Sequence, residues 1–136
     1  MNILITGAGG FIGSHLCNSL KKDHKLFRIF SLSNEFEDTD SYSVDLTDGR
    51  AVNNLIEGLH KQQKIGAIIH LASRMASPDN IHDVEVLKEN IAITENAVSI
   101  AKALRPKIFL NFSSIAVYPN ISGAFSEDSL PGPQKN

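Results

Sequence analysis

The residue order predicts an α/β domain, a doubly wound parallel sheet of about five strands in order 3-2-1-4-5 with helices on both faces. Two observations carry that expectation. Short apolar runs alternate along the chain with longer stretches whose apolar residues recur at helical spacing, the rhythm of strand, helix, strand. The first apolar run, Ile3-Leu4-Ile5-Thr6, passes through Gly7, Gly10 and Gly13 straight into a helical pattern, which places a tight turn at a strand-to-helix junction. Right-handed crossovers with one reversal after the first strand then leave little choice of strand order.

Strand one is expected over Asn2 to Thr6. The first helix follows from about Gly10 to Lys22, with Ile12, Leu16 and Leu20 sharing a face at four-residue spacing. Leu26 to Leu32 reads as strand two, the polar stretch Ser33 to Ser41 as a loop, and Tyr42 to Val44 as a short third strand. Thr47 is placed to cap a helix over Asp48 to Gln63. Ala67 to Leu71 is a continuous apolar strand of the kind buried on both faces. A long helix from about Val84 to Leu104 follows, with Leu87, Ile91, Val98 and Ala101 as its expected buried stripe. Lys107 to Phe112 is strand five, and Pro119 to Asn136, rich in Pro, Gly, Ser and Asn, reads as loop. No internal repeat or low-complexity segment interrupts the pattern.

With 136 residues the chain is one domain by length, and 42% hydrophobic residues suffice for a real core. A formal charge of -2 gives no basic footprint for nucleic acid and no acidic disordered tail. Cys17 is the single cysteine and falls in the first helix, which excludes an internal disulfide and a cysteine metal cluster and suits a reduced, cytoplasmic setting. The N-terminus lacks a signal pattern and no apolar run approaches a membrane span, so no membrane partner is expected. His15, His24, His60 and His82 are scattered without ligand spacing, and no metal site is expected.

The three glycines have separate tasks in a dinucleotide-binding entrance. Gly7 permits the turn off the strand, Gly10 lets backbone N–H groups approach a pyrophosphate, and Gly13 lets the helix lie close to the sheet. The helix then points its unpaired N–H groups and the positive end of its dipole at the phosphates.

Five segments, in order, resemble the N-terminal part of an extended short-chain dehydrogenase/reductase, the NAD-dependent epimerase/dehydratase family with its Rossmann-type sheet. Thr6-Gly7-x-x-Gly10-x-x-Gly13 resembles that family's phosphate loop, and differs from the dehydrogenase pattern G-x-G-x-x-G because Ile12 stands where the third glycine would fall. Asp45-Leu46 resembles the adenine-contacting dipeptide, and His70-Leu71-Ala72-Ser73 the segment lining the nicotinamide side. Asn90 matches a helical asparagine, and Phe112-Ser113-Ser114-Ile115-Ala116-Val117-Tyr118-Pro119 matches a strand-five signature.

The resemblance implies a cofactor, NAD with NADP left open, held by Gly7, Gly9, Gly10, Phe11, Ile12 and Gly13 in the loop. It adds Asp45, Leu46, Leu71, Ala72, Ser73, Asn90 and Ser113 as further cofactor positions, and Ser114 as the catalytic serine that hydrogen-bonds a reacting sugar hydroxyl or ketone. At the end of strand two, where relatives place an acid for the adenine ribose, this chain offers Ser33 with Glu35 nearby. The implied partners are a nucleotide-sugar substrate in the complete protein and a second copy of the chain in a homodimer.

Each residue also has a plainer reading. Asp45 could simply cap a helix, and Ser113 and Ser114 could satisfy backbone groups at a strand end. Asn90 could face solvent, although asparagine is a mediocre helix former. His70 reads as a hydrogen-bonded core histidine and not as a base.

The family's chemistry needs a Tyr-x-x-x-Lys pair. Here Tyr42 is followed four residues on by Leu46, and Tyr118 by Ser122. The expectation is a dinucleotide-binding unit over residues 1–118 and a loop over 119–136 that leads, in relatives, to the tyrosine-bearing helix. On that expectation the sequence stops just before its catalytic base, and the chain alone would lack turnover. The rival expectation is a noncatalytic dinucleotide-binding module acting as a sensor or interaction domain.

Overall fold

A computed structural model describes residues 1–31, 38–62, 64–75, 77, 79, 83–114, 118 and 123–129. The elements run β1 (Asn2–Thr6), α1 (Phe11–Leu20), β2 (Lys25–Phe30), β3 (Ser41–Ser43), α2 (Gly49–Gln62), β4 (Ala67–His70), α3 (Val84–Leu104) and β5 (Ile108–Asn111). Five strands form one sheet in the order β3-β2-β1-β4-β5, and every neighbouring pair is parallel. This is the doubly wound Rossmann-like arrangement expected from the sequence.

The sheet is covered unequally. On one face Leu4, Phe27, Ile29 and Ile68 meet Val52, Leu55 and Leu59 of α2 and Ile100 of α3. On the other, Ile3, Ile5, Leu26 and Ala67 meet Cys17 of α1, with Leu20 half-buried beside them. Alternation along β1 sends Leu4 to the first cluster and Ile5 to the second, and both are fully buried. A strand apolar at every inner position therefore has to lie at the centre of a sheet with helices on both sides.

Two helices present faces other than those expected. In α1 the buried residues are Gly13 and Cys17, while Ile12 is exposed and Leu16 and Leu20 are half-buried. The cause is the close approach at Gly13, where an added Cβ would collide with the Gly7 carbonyl oxygen. Only a glycine can face the loop there, so Ile12, one residue earlier, is turned about 100° away.

In α3 the inward face is Val86, Ala97 and Ile100, with Ile93, Ala101 and Leu104 packed against the core. Leu87 and Ile91 stand 60% and 49% exposed. The helix carries two apolar stripes roughly 120° apart at about 100° per residue, and periodicity does not say which one meets the sheet. On the docked helix Asn96 Nδ2 donates to the Leu46 carbonyl at 2.8 Å, a bond that ties α3 to the segment after β3.

Thr47 is not the cap of α2. Asp48 takes that place: its Oδ1 accepts from the Arg50 N–H at 2.8 Å and its carbonyl accepts from the Val52 N–H at 3.1 Å. β2 ends at Phe30, two residues earlier than expected, because its pairing with β3 stops at Phe30 beside Ser43. Leu32, Ser33 and Glu35 lie outside the described residues, as do 115–117 and 119 of the strand-five signature and the last residues from 130 onward. The expected domain boundary after 118 therefore falls largely outside them as well. Among the described residues no helix is long and apolar enough to cross a membrane.

Candidate functional site

The carboxyl ends of β1, β2, β3 and β4 open onto a cavity of about 660 Å³. It sits where the strand order reverses between β1 and β4, the crevice in which open α/β sheets bind ligands. Its floor is the glycine loop. Gly7 has φ +70, and a Cβ there would lie 2.8 Å from the Ala72 N and 2.9 Å from the Leu71 carbonyl carbon, so a side chain is excluded both by conformation and by space.

The Gly10 N–H donates back to the Gly7 carbonyl at 3.0 Å, and the Gly10 carbonyl accepts from the Ser14 N–H at 2.9 Å, which starts α1. Among the described residues only the Gly7 carbonyl, at 3.3 Å, comes near a Cβ built on Gly10. The side-chain side of Gly10 is therefore open among these residues, while its N–H and carbonyl are both engaged. No acidic residue stands in the first turn of α1 to offset its positive end. An electropositive helix terminus beside the open side of a glycine suits a phosphate or pyrophosphate.

The walls come from the neighbouring strand ends. Gly9, Phe30 and Ser31 lie on the β2 side, Asp45, Leu46 and Thr47 follow β3, and Leu71, Ala72, Ser73 and Arg74 follow β4. Asp45 Oδ1 accepts from the Thr47 N–H at 2.8 Å and from the Thr47 hydroxyl at 2.7 Å. These two bonds, side chain first, hold the Asp45 carboxyl below its ordinary range. Asp45 thus forms a local turn with Thr47 and lines the cavity at once; it does not cap α2, a place that Asp48 takes.

On the β4 side, Asn90 grips the loop by reciprocal bonds. Its Oδ1 accepts from the Arg74 N–H at 2.8 Å and its Nδ2 donates to the Arg74 carbonyl at 2.9 Å. The next residue back, Glu89, takes the Arg74 guanidinium Nη1 on both carboxylate oxygens, at 2.6 and 2.5 Å. Two successive residues of α3 therefore fix one loop residue by backbone and by side chain. At the root of the same loop His70, 3% exposed, meets the Thr6 hydroxyl at 2.7 Å. Burial pushes the His70 imidazole below its ordinary range and favours the neutral ring.

The structure brings together on the cavity wall Gly7, Gly9, Gly10, Asp45, Leu46, Leu71, Ala72 and Ser73 from the expected set. Gly13 is buried beneath the loop, and Phe11 and Ile12 stand exposed at the start of α1, with the Phe11 ring 4.7 Å from that of His15. Asn90 acts on the wall from behind. Ser113 and Ser114 follow β5, are exposed, and are not among the residues lining the cavity. Ser33 lies outside the described residues.

Sequence reading missed Ser31, Thr47, Arg74 and Glu89. Ser31 was hidden by the overlong second strand. For Arg74 and Glu89 a basic residue after the β4 loop and an acid beside Asn90 were the available signal, but only the fold pairs them.

Comparison with known proteins agrees with this geometry. The model of the family described as "NAD dependent epimerase/dehydratase family" matches residues 3–136. GDP-mannose 3,5-epimerase 1 of Oryza sativa subsp. indica is 31% identical over 136 residues, covering 96% of this chain and 35% of that protein. A UDP-glucose 4-epimerase sequence from Klebsiella pneumoniae is 30% identical over 129 residues, covering 87% of this chain and 92% of its own length. The solved structure of MoeE5 in complex with UDP-glucose and NAD superposes with a TM-score of 0.79 at 27% identity, over 98% of this chain and 43% of that one. The chain thus spans about a third of the length of the plant epimerase it matches. A family match along almost the whole chain, together with a glycine loop and a sheet crevice of the matching kind, leads to one conclusion: this chain belongs to the NAD dependent epimerase/dehydratase family, whose cofactor is NAD.

Proposed function

We propose that the cavity holds NAD and that the chain is the cofactor-binding portion of an enzyme that acts on a nucleotide sugar. The observation that carries this is the open side-chain side of Gly10 at the uncompensated N-terminus of α1, set in the crevice between β1 and β4. In this reading Gly7, Gly9 and Gly10 face the pyrophosphate, and Gly13 brings the helix close enough for its N–H groups to reach it. Phe11 and Ile12 offer first-turn amides. Asp45 and Leu46 border the adenine, with Ser31 at the β2 end in the position expected of Ser33.

Leu71, Ala72 and Ser73 border the nicotinamide side, held by Asn90, with Ser113 at the neighbouring strand end. Ser114 orients the reacting hydroxyl by hydrogen bonding. NAD, when bound, supplies reversible hydride transfer, and the chain contributes position and orientation.

Isothermal titration of NAD and NADP into the purified protein tests the reading directly. Saturable NAD binding supports it, and absence of binding for both dinucleotides refutes it. A serine hydroxyl is a poor base near neutral pH, and the 136 residues contain no Tyr-x-x-x-Lys pair. The 136-residue polypeptide is therefore expected to bind NAD without epimerase or dehydratase turnover. Turnover of UDP-glucose or GDP-mannose by that polypeptide would show that another group serves as base. We further propose a homodimer, built on the exposed Leu87–Ile91 stripe of α3 and the exposed β5 edge.

A further inference from the structure

We propose that His70 is a positioning residue acting through Thr6: as its Nε2–H tautomer it accepts a hydrogen bond from the Thr6 hydroxyl at Nδ1 and so leaves both lone pairs of the Thr6 oxygen to hold the Leu71 and Ala72 amides on the cavity wall. The argument is a count of donors and acceptors. A threonine hydroxyl has one hydrogen and two lone pairs. Among the described residues three groups lie within reach of Thr6 Oγ1: His70 Nδ1 at 2.7 Å, the Leu71 N–H at 3.2 Å and the Ala72 N–H at 3.2 Å. The two amides can only donate, and together they use both lone pairs. The hydroxyl hydrogen has one remaining direction, toward His70 Nδ1. That nitrogen must accept, so it carries no proton and the ring proton sits on Nε2.

Both residues are buried, Thr6 completely, and solvent offers no alternative partner. The arrangement depends on register. Thr6 and His70 are direct neighbours on adjacent parallel strands, so the last side chain of each strand meets the other just where both chains enter the site. The Leu71 N–H also reaches the Thr6 carbonyl at 3.3 Å, which ties the backbone to the same residue twice. The held amides in turn bear on the glycine loop, because Ala72 N is the atom closest to a Cβ built on Gly7. A wall that shifted at Ala72 would move the turn that aims the Gly9 and Gly10 backbone. If Nδ1 carried the proton, donor would face donor across 2.7 Å, and one of the three bonds would be lost.

The consequence for cofactor affinity rests on the NAD reading above, whereas the tautomer and the amide bonds do not. The first measurement is imidazole ¹⁵N spectroscopy on the unliganded protein, with the five histidines assigned by substitution. The expected spectrum has an unprotonated Nδ1 and a protonated Nε2 at His70 near neutral pH. A protonated Nδ1 overturns the proposal.

The second measurement compares His70→Asn, whose Oδ1 can accept where Nδ1 did, with His70→Leu, which cannot accept. Amide exchange at Leu71 and Ala72 should quicken about tenfold or more in His70→Leu, and return to within about threefold of wild type in His70→Asn. NAD affinity should follow the same order, falling about tenfold and then recovering. Unchanged exchange at both amides in His70→Leu, or equal loss in both variants, overturns the proposal. Should His70→Leu fail to fold, Thr6→Val against Thr6→Ser makes the same comparison from the other partner. A wild-type chain with the expected tautomer and protected amides that nevertheless fails to bind NAD overturns the cofactor reading alone.

Discussion

β1 and β5 are both short, apolar, parallel strands, yet β1 is buried from Ile3 to Thr6 while all four residues of β5 are exposed. The difference lies in what surrounds them. β1 is paired on both sides, by β2 and β4, and has α1 over one face and α2 with α3 over the other. β5 pairs with β4 alone among the described residues. Its Ile108 and Leu110 follow Ala67 and Ile69 onto the α1 face of the sheet, beyond the reach of that helix, and are 50% and 44% exposed. An apolar strand is a request for cover, and the strand alone does not say whether the request is met. The candidate site follows the same division: its glycine loop leaves the fully covered strand, and the serines expected to assist chemistry leave the uncovered one.

The largest effect separating the two strands should be on stability. Leu4→Ala empties a fully buried position and should cost about 2–5 kcal/mol, while Leu110→Ala on the exposed strand should cost less than about 1 kcal/mol. Urea unfolding of both variants checks this. Comparable losses would mean that β5 is covered in solution, and the contrast would then collapse.

A second variant separates binding from stability at the end of β1. Among the described residues a Cβ on Gly10 has one near neighbour, the Gly7 carbonyl at 3.3 Å, so Gly10→Val should fold with a small loss of stability. Its branched side chain would occupy the bare side of the loop, and NAD affinity should fall at least about tenfold, or about 1.4 kcal/mol. Calorimetry on a folded variant measures it. Equal affinity would refute the phosphate-loop assignment.

Acid should act on the covered centre before it acts on the β3 edge of the site. Burial favours neutral His70 in the folded chain, below the ordinary 6.5, so the folded state binds fewer protons than the unfolded one. The stability this provides is present above about pH 6.5 and is lost as pH falls through the folded value. Asp45 is lowered from 3.8 by its two bonds from Thr47, and its contribution is lost only below that pH. Because Asp45 is exposed, its step should be the smaller. Unfolding followed from pH 8 to pH 3 should show the upper limb, and His70→Asn should flatten it. A wild-type profile flat between pH 7 and pH 5 would contradict the buried neutral ring.

What the sequence made legible was whatever residue type alone dictates. Gly7 and Gly13 stand where backbone conformation or close approach admits no side chain, and that requirement is visible in the letters. The strand order was equally accessible, since crossover handedness and the reversal at β1 restrict it. Less accessible were features set by the neighbours an element meets. Ser31 was overlooked because the end of β2 depends on where β3 stops pairing. Arg74 and Glu89 are fifteen residues apart and become partners only when α3 docks beside the β4 loop. In α3 the expected Leu87–Ile91–Val98–Ala101 stripe and the Val86–Ile93–Ala97–Ile100 stripe are both apolar; the fold buries the latter, packs Ala101 of the former against the core, and leaves Leu87 and Ile91 exposed.

The stripe left exposed provides the smallest and last contrast, because it concerns association and not folding. Leu87 and Ile91 on α3 and Ile108 and Leu110 on β5 are exposed aliphatic residues, and unpaired strand edges with apolar side chains tend to find partners. A two-fold dimer would cover the same patch on both copies. Light scattering at micromolar concentration should therefore report dimers or larger species for the wild-type chain. Ile91→Glu should weaken association through the helix and leave stability within about 0.5 kcal/mol of wild type, because the residue contributes little to the core. Leu110→Lys should act likewise through the strand edge, where inward or edge charges oppose pairing. Loss of dimer in only one variant would assign the interface to that element. A wild-type chain that stays monomeric at these concentrations would leave β5 uncovered in solution, and the contrast with β1 would then hold for the free molecule.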